Sequence, residues 1–304
     1  MKDVLLNPAL DHIAVYSIFA AMAVYTFALL TFVWHLSRLS SGDKKLIKTA
    51  APLERAGFIL MIVAAALHGA GVVMRGVAAS RVPWANMYEF SISGSFMIVL
   101  IFLTAWWVKE IRVIAVLVSG FALLVLGAAV TLFYVQVKTL MPALQSYWLV
   151  IHVTVAVLAT AFFNIAAALA VAYLLRNWKW LQKSKLPIAK LINRVLSVFP
   201  DSAKLESLSY RFNIVGFILW TFTLVAGAIW AERAWHRFWG WDTKEVWTFI
   251  IWVIYAGYLH AKATRGWTGA RSAWLTLVGF AAILFNFTIV NLFFKGLHVY
   301  SGLK

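Results

Sequence analysis

The side chains here with most chemistry to offer are indoles and imidazoles. Trp235–Trp247 reads Trp-His-Arg-Phe-Trp-Gly-Trp-Asp-Thr-Lys-Glu-Val-Trp, with four tryptophans in thirteen residues. Indole faces suit a flat, apolar ligand lying across them. The same density also fits a tryptophan belt at a membrane surface. Trp239, Gly240 and Trp241 read as a turn, and Asp242 as the N-cap of a following helix. Glu245, three residues on, is at the return position of a capping box. Seven histidines supply imidazole, a common metal ligand. There is no cysteine. Disulfides, thiolate ligation and thiol redox chemistry are therefore excluded for this chain. Any thiol in its chemistry comes from a substrate or partner.

These side chains are carried by a membrane protein. Of 304 residues, 63% are hydrophobic and 12% charged, and the mean hydropathy is +0.85. Those values exclude an ordinary soluble domain and predict an all-α, polytopic helical bundle in a lipid bilayer. Eight apolar runs reach spanning length: Ile13–Trp34, Ala56–Met74, Ser91–Val108, Val113–Tyr134, Trp148–Leu175, Phe212–Ala231, Val246–Ala263 and Ser272–Phe294. Met1–Asp11 lacks the basic region of a secretory signal, so the first run reads as a retained helix. The net charge of +16 comes from Lys and Arg between the runs, which points to topology and not to nucleic acid. The connectors after the first, third, fifth and seventh runs carry 18 of the 27 basic residues. By the positive-inside rule they face the cytoplasm. Both termini and an aromatic loop over 232–247 then face outward.

The whole of 1–304 reads as one transmembrane domain without close internal repeats. The basic inner connector over 176–211 contains Ile188, Leu191, Ile192, Val195, Leu196 and Phe199 at helical spacing between Pro187 and Pro200. That pattern predicts a short helix in the inner interface. In the outer loop Arg75–Phe90, Arg75 and Arg81 are suited to pair with carboxylates or to anchor the interface.

Topology sorts the histidines. His152, one turn into the fifth run, and His298, beyond the eighth, share the outer side with the aromatic loop. Imidazoles from both faces of a porphyrin would clamp haem iron, and the ring would lie on the indoles. Each taken alone reads more readily as a structural histidine at a helix end; only the pair beside that loop brings the haem reading level with it. His260 lies sixteen residues past Lys244, so about 24 Å deeper at 1.5 Å per residue. It cannot share that iron. It is either a second site completed by a partner or an interfacial residue beside Lys262. His68 reads as a packing residue, His12 and His35 as interfacial, and His236 as a rival outer ligand.

Several short motifs stand in a specific order: Asn86-Met87-Tyr88-Glu89, Leu144-Gln145-Ser146-Tyr147-Trp148-Leu149 leading to His152, Leu208-Ser209-Tyr210-Arg211, the Trp235–Trp247 segment, Tyr258-Leu259-His260 and Gly296-Leu297-His298. Over nearly its whole length the chain resembles the CcsA (ResC) family of system II cytochrome c biogenesis, within a wider haem-handling group sharing a tryptophan-rich "WWD" segment. The resemblance implies that His152 and His298 ligate haem b outside. It implies that His260 is a membrane-buried ligand paired with one from a CcsB (ResB) partner. It also implies that Trp235, Trp239, Trp241, Asp242 and Trp247 belong to the haem-holding segment. The haem would then be joined to the Cys-x-x-Cys-His thiols of apocytochrome c, the chain acting as a subunit of a haem lyase. That activity would sit on the outer face of a bacterial cytoplasmic membrane, or of a thylakoid if the chain is plastid-encoded. Three positions depart from the family pattern: Thr243 for proline, His236 for glycine and Val299 for serine. The rival readings are a haem permease without attachment chemistry and an electron-transfer b-type cytochrome.

Overall fold

A computed structural model describes residues 6–140, 144–294 and 296–297. Among these residues all regular structure is helical: α1 (Pro8–Leu39), α2 (Lys44–Lys48), α3 (Ala50–Ala78), α4 (Met87–Thr104), α5 (Ala115–Ala128), α6 (Tyr147–Arg176), α7 (Lys179–Lys183), α8 (Pro187–Ser197), α9 (Ser202–Trp235), α10 (Thr243–Arg265), α11 (Ala270–Phe287) and α12 (Ile289–Phe293). Short 3₁₀ segments lead into α5, and a π-helical turn over Ala129–Phe133 ends it. Only closed backbone hydrogen bonding survives in a bilayer, which is why so apolar a chain resolves into helices. Seven helical segments are long and apolar enough to cross a membrane. The eighth expected run lies in α10, which is long enough at 23 residues. Its tryptophans, tyrosines, His260 and Lys262 make it less apolar than the rest.

The helices form two halves. In one, α1 lies along α3, and α4 and α5 pack against them. In the other, α6 lies along α9, with α10 and α11 completing the group. Helices in lipid gain little from burying apolar surface against each other, so close packing at small residues matters more. A Cβ on Gly216 would stand 2.8 Å from the Phe163 ring, and one on Gly279 would stand 2.6 Å from the Tyr255 ring. Phe163 and Tyr255 stack on each other with centroids 3.7 Å apart. The two glycines thus let α9 and α11 close on one aromatic stack.

Cross-links between connectors mark the two ends of the bundle. At one end Lys204 pairs with Glu110, Arg112 with Glu54 and Lys262 with Glu206. These are ends expected to be cytoplasmic. There α8 forms as the apolar spacing predicts, with Ile188 and Leu191 exposed and Leu196 buried. At the other end Arg75, fully buried, bonds Asp11 at 2.6 Å and Glu89 at 3.0 Å. Arg81 bonds Glu89 as well, and Tyr134 donates to Asp11. Both arginines suited to a ligand's carboxylates are therefore neutralised within the chain. The cluster joins α1, α3, α4 and the end of α5.

Removing one member of a buried charge cluster strands the others at a cost of about 3–5 kcal/mol. Arg75→Met should lower the melting temperature in detergent by that equivalent, while Arg233→Met, exposed, should leave it unchanged. Equal melting of the two variants would show that the cluster is dispensable.

Candidate functional site

The aromatic loop is held by one carboxylate. Glu245, in the first turn of α10, accepts the backbone N–H of Gly240 at 2.7 Å and of Asp242 at 3.1 Å, and the Arg237 guanidinium at 3.4 Å. Asp242 returns the bond to the backbone of Glu245, completing the expected capping box. A charged acceptor on several N–H groups is stronger than a neutral one. It is also well placed at the positive end of a helix. A Cβ at Gly240 would displace the Arg237 guanidinium from its place against Glu245.

The irregular part of the loop is shorter than the tryptophan run, since α9 continues to Trp235. His236 then closes α9 in the left-handed conformation, φ 54°. That position favours glycine energetically, so histidine there carries a small conformational cost. Trp241 also has positive φ, at 58°.

The four tryptophans divide. Trp239 and Trp241 meet edge to face at 5.8 Å, and Trp241 is 76% exposed. Trp235 packs against Trp230 at 4.8 Å, beside Leu144 and Leu149. Trp247 packs on Phe285 at 4.4 Å within the second half of the bundle.

His152 sits beneath this arrangement. Its Nδ1 is 3.0 Å from the Thr223 carbonyl oxygen, and its ring stacks on buried Trp230 at 5.9 Å. A carbonyl only accepts, so the proton is on Nδ1 and the lone pair on Nε2, the form that ligates a metal. His152 lines two adjoining cavities. The larger, about 210 Å³, lies at the seam between the two halves and is walled by Phe90, Phe121, Trp220 and Phe287. The smaller, about 80 Å³, reaches Phe238 and Trp239 of the loop. Trp230, Thr223, Lys244 and Thr248 also line both.

The structure brings His152, Trp235, Trp239 and Asp242 to one end of the bundle. Asp242 ties the C-terminal segment to it by accepting the Leu297 N–H at 3.1 Å. His298 and Val299 lie outside the described residues. His260 is on the same helix as Lys244, exposed on the surface of α10 and not among the cavity walls. His68 is the packing residue expected, fully buried between the Tyr25 hydroxyl and the Ile92 carbonyl. His236 is exposed at the helix end. Among the described residues no group of three or more His, Cys, Asp or Glu converges as a metal site.

Sequence reasoning missed Trp230, Thr223 and the cavity. Trp230 ended an apolar run and looked like any spanning residue. Its spacing of five residues from Trp235, about 1.4 turns, gave no sign that the two rings would meet.

Residues 84–298 match the family described as cytochrome C assembly protein. The chain belongs to that family. It is 31% identical to the cytochrome c biogenesis protein CcsA of Trichodesmium erythraeum, with 99% of each chain covered. It is 34% identical to that of Prochlorococcus marinus, over 80% of this chain and 83% of the relative. The CcsA of Synechococcus elongatus is 35% identical over 78% and 83%. Among solved structures the fold is similar to the cytochrome c heme lyase CcmF, with a TM-score of 0.60 at 17% identity. The similarity covers 94% of this chain, which spans about half, 47%, of that longer protein. The expected membership of the CcsA family thus stands, and the chain is an integral membrane protein.

Gly227 offers a direct handle on His152. A Cβ there would come 2.8 Å from Cε1 and 2.9 Å from Nδ1 of the imidazole. Gly227→Ala must push the ring off the Thr223 carbonyl, forfeiting about 1 kcal/mol of hydrogen bonding. If His152 ligates an iron porphyrin, its retention should fall roughly five- to tenfold. Gly120→Ala, where a Cβ meets nothing within 4 Å, is the control. Equal retention in both variants would separate His152 from the ligand.

Proposed function

We propose that this protein serves cytochrome c biogenesis by holding haem b at the outer end of its bundle for covalent attachment to apocytochrome c. A membrane partner of the CcsB (ResB) kind acts with it. The observation that carries this reading is His152, an imidazole with its Nδ1 proton fixed by Thr223, at the wall shared by an apolar cavity and the pocket under Trp239. The residues fit the group. A neutral, oriented imidazole is an axial ligand for iron. Trp230 and Trp239 supply flat apolar surface, and the Asp242–Leu297 bond tethers the segment that continues into His298. His152 and His298 are the ligand pair in this reading. Trp235, Trp239, Trp241 and Asp242 shape the holding segment, and Trp247 supports it from within the bundle. The holding face is the periplasmic or lumenal side of a bacterial cytoplasmic or thylakoid membrane.

The chemistry is thioether formation. Each thiol of a Cys-x-x-Cys-His segment adds across one vinyl group. A C–S bond forms at one vinyl carbon, the thiol proton passes to the other, and nothing is oxidised overall. The protein contributes position. Holding reacting atoms at near-attack distance replaces an encounter in solution by an intramolecular step. A chain without cysteine offers no competing thiol.

Two experiments test this. The purified protein should carry haem with a low-spin, six-coordinate absorption spectrum and pass it to a Cys-x-x-Cys-His peptide when the partner is present. His152→Ala and His298→Ala should each lose that spectrum, and the double variant should be little worse than either single, because paired ligands act as a unit. An unaltered six-coordinate spectrum in both singles would refute the pairing. His260→Ala should lower the haem loaded outside while leaving the spectrum of the remainder intact. Undiminished haem loading would make His260 an interfacial residue.

A further inference from the structure

Nine Lys and Arg residues belong to the outer side of the charge pattern. Among the described ones, Arg75, Arg81 and Arg237 are paired with carboxylates of the chain. Arg233 is exposed and near Glu232, and Lys138 is exposed and away from both cavities. Lys244 differs from all of these. It lines both cavities, and among the described residues no carboxylate lies within ion-pair distance of it. It sits in the first turn of α10, where the helix dipole disfavours a cation. The neighbouring Asp242 carboxylate is engaged with the backbone of Glu245 and Leu297.

Lys244 precedes the spanning run of α10 by two residues. Burial lowers its pKa to about 8, against the opposing pull of Asp242. Three unfavourable circumstances therefore coincide in this half-buried side chain: desolvation, the wrong helix end and no carboxylate in direct contact, the charge of Asp242 acting only from a distance. A stability role accounts for none of them. An anionic ligand group would relieve all three.

The larger cavity holds a second sign of a polar ligand group. Its walls are apolar apart from a few side chains, and two of these are orphaned. Ser91, 3% exposed, has a buried hydroxyl with no hydrogen-bond partner, a donor that a carboxylate can satisfy; Asn286, 8% exposed, has a buried amide oxygen with none, an acceptor that a carboxylate cannot satisfy and that marks the wall only as polar. Leaving such atoms unpaired costs about 1–3 kcal/mol each. A purely hydrocarbon occupant would not recover that.

We propose that Lys244 receives the carboxylate edge of the porphyrin, with Ser91 donating from the cavity wall, so that the ring is held acid edge inward and vinyl edge outward. The inference rests on haem being the substrate. A porphyrin of this class carries its propionates and vinyls on different edges. Only one orientation leaves the vinyls open to thiols arriving from water. Lys244 would thus be a positioning residue that sets which edge of the ring is presented. Its ammonium fits a single carboxylate as a compact point charge.

The test compares haem b with its propionate dimethyl ester, titrated spectroscopically into the haem-depleted full-length protein in detergent. Wild type should bind the free acid at least tenfold more tightly than the diester. Lys244→Met, which keeps the aliphatic stem, should lose that preference and bind both as wild type binds the diester. Lys244→Arg should restore most of it, and ligation spectra should be alike throughout. A preference kept in full by Lys244→Met would overturn the proposal, as would a wild type that binds acid and diester equally with histidine ligation. A wild type that binds neither would instead remove the haem-holding reading itself, and the inference with it.

Discussion

At the end of the bundle that carries the aromatic loop, the buried charged groups find their partners inside the protein. Two carboxylates show the consequence. Glu89 takes bonds from Arg75, Arg81 and the Ala85 N–H, and so fixes the loop between α3 and α4. Glu245 takes bonds from Gly240, Asp242 and Arg237, and so fixes the loop between α9 and α10. In water either carboxylate would exchange these donors for solvent at little loss. In a dry interior, breaking a charged hydrogen bond leaves a stranded ion costing several kcal/mol. The loops are therefore rigid where they meet the bundle, and exposed rings such as Trp241 project from a fixed frame.

The cavity is a consequence of the same frame. Each half of the bundle closes on its own aromatic packing, the first around Trp106 with Phe58 and Phe102, the second around Phe163 with Tyr255. The seam between the halves is filled less completely toward the end that carries the aromatic loop. What lines it there is contributed by α4 and α5 on one side and by α6, α9, α10 and α11 on the other. A site at such a seam draws residues from distant parts of the chain without demanding a special local sequence. His152 and Thr223 are 71 residues apart, yet α6 and α9 lie along each other for most of their length, so their bond is part of ordinary helix pairing.

That origin explains which features are legible in the sequence. Local rules reached the spanning helices, the Asp242–Glu245 capping box, the short helix after Pro187 and the packing role of His68. Each depends on neighbours within a few residues, or on a polar residue in an apolar run. Charge counting reached the grouping of connectors at two ends. It could not reach the fate of Arg75, whose partner Asp11 is 64 residues away. An arginine beside an aromatic loop looks the same in sequence whether its carboxylate belongs to a ligand or to another helix. Trp230 and Trp247 were indistinct for a related reason. Tryptophan serves packing and ligand holding with the same ring, and only tertiary contacts separate the two. Trp230 stacks on His152, whereas Trp247 turns to Phe285.

His260 bears on the rival reading of an electron-transfer cytochrome. Such a protein keeps both ligands of each haem between helices of its own bundle, since a permanent cofactor must be enclosed. His260 is exposed along α10, and no other histidine of the inner end faces it: His35 bonds the Ala50 carbonyl at the far side of the bundle, within the α1–α3 pair. An imidazole on an exposed helix face is not enclosed by the chain's own helices, as a permanent ligand pair would be. The two ends then differ in kind. At the end that carries the aromatic loop, His152 is enclosed by the chain's own helices and loop. At the opposite end, His260 stands on an exposed face of α10.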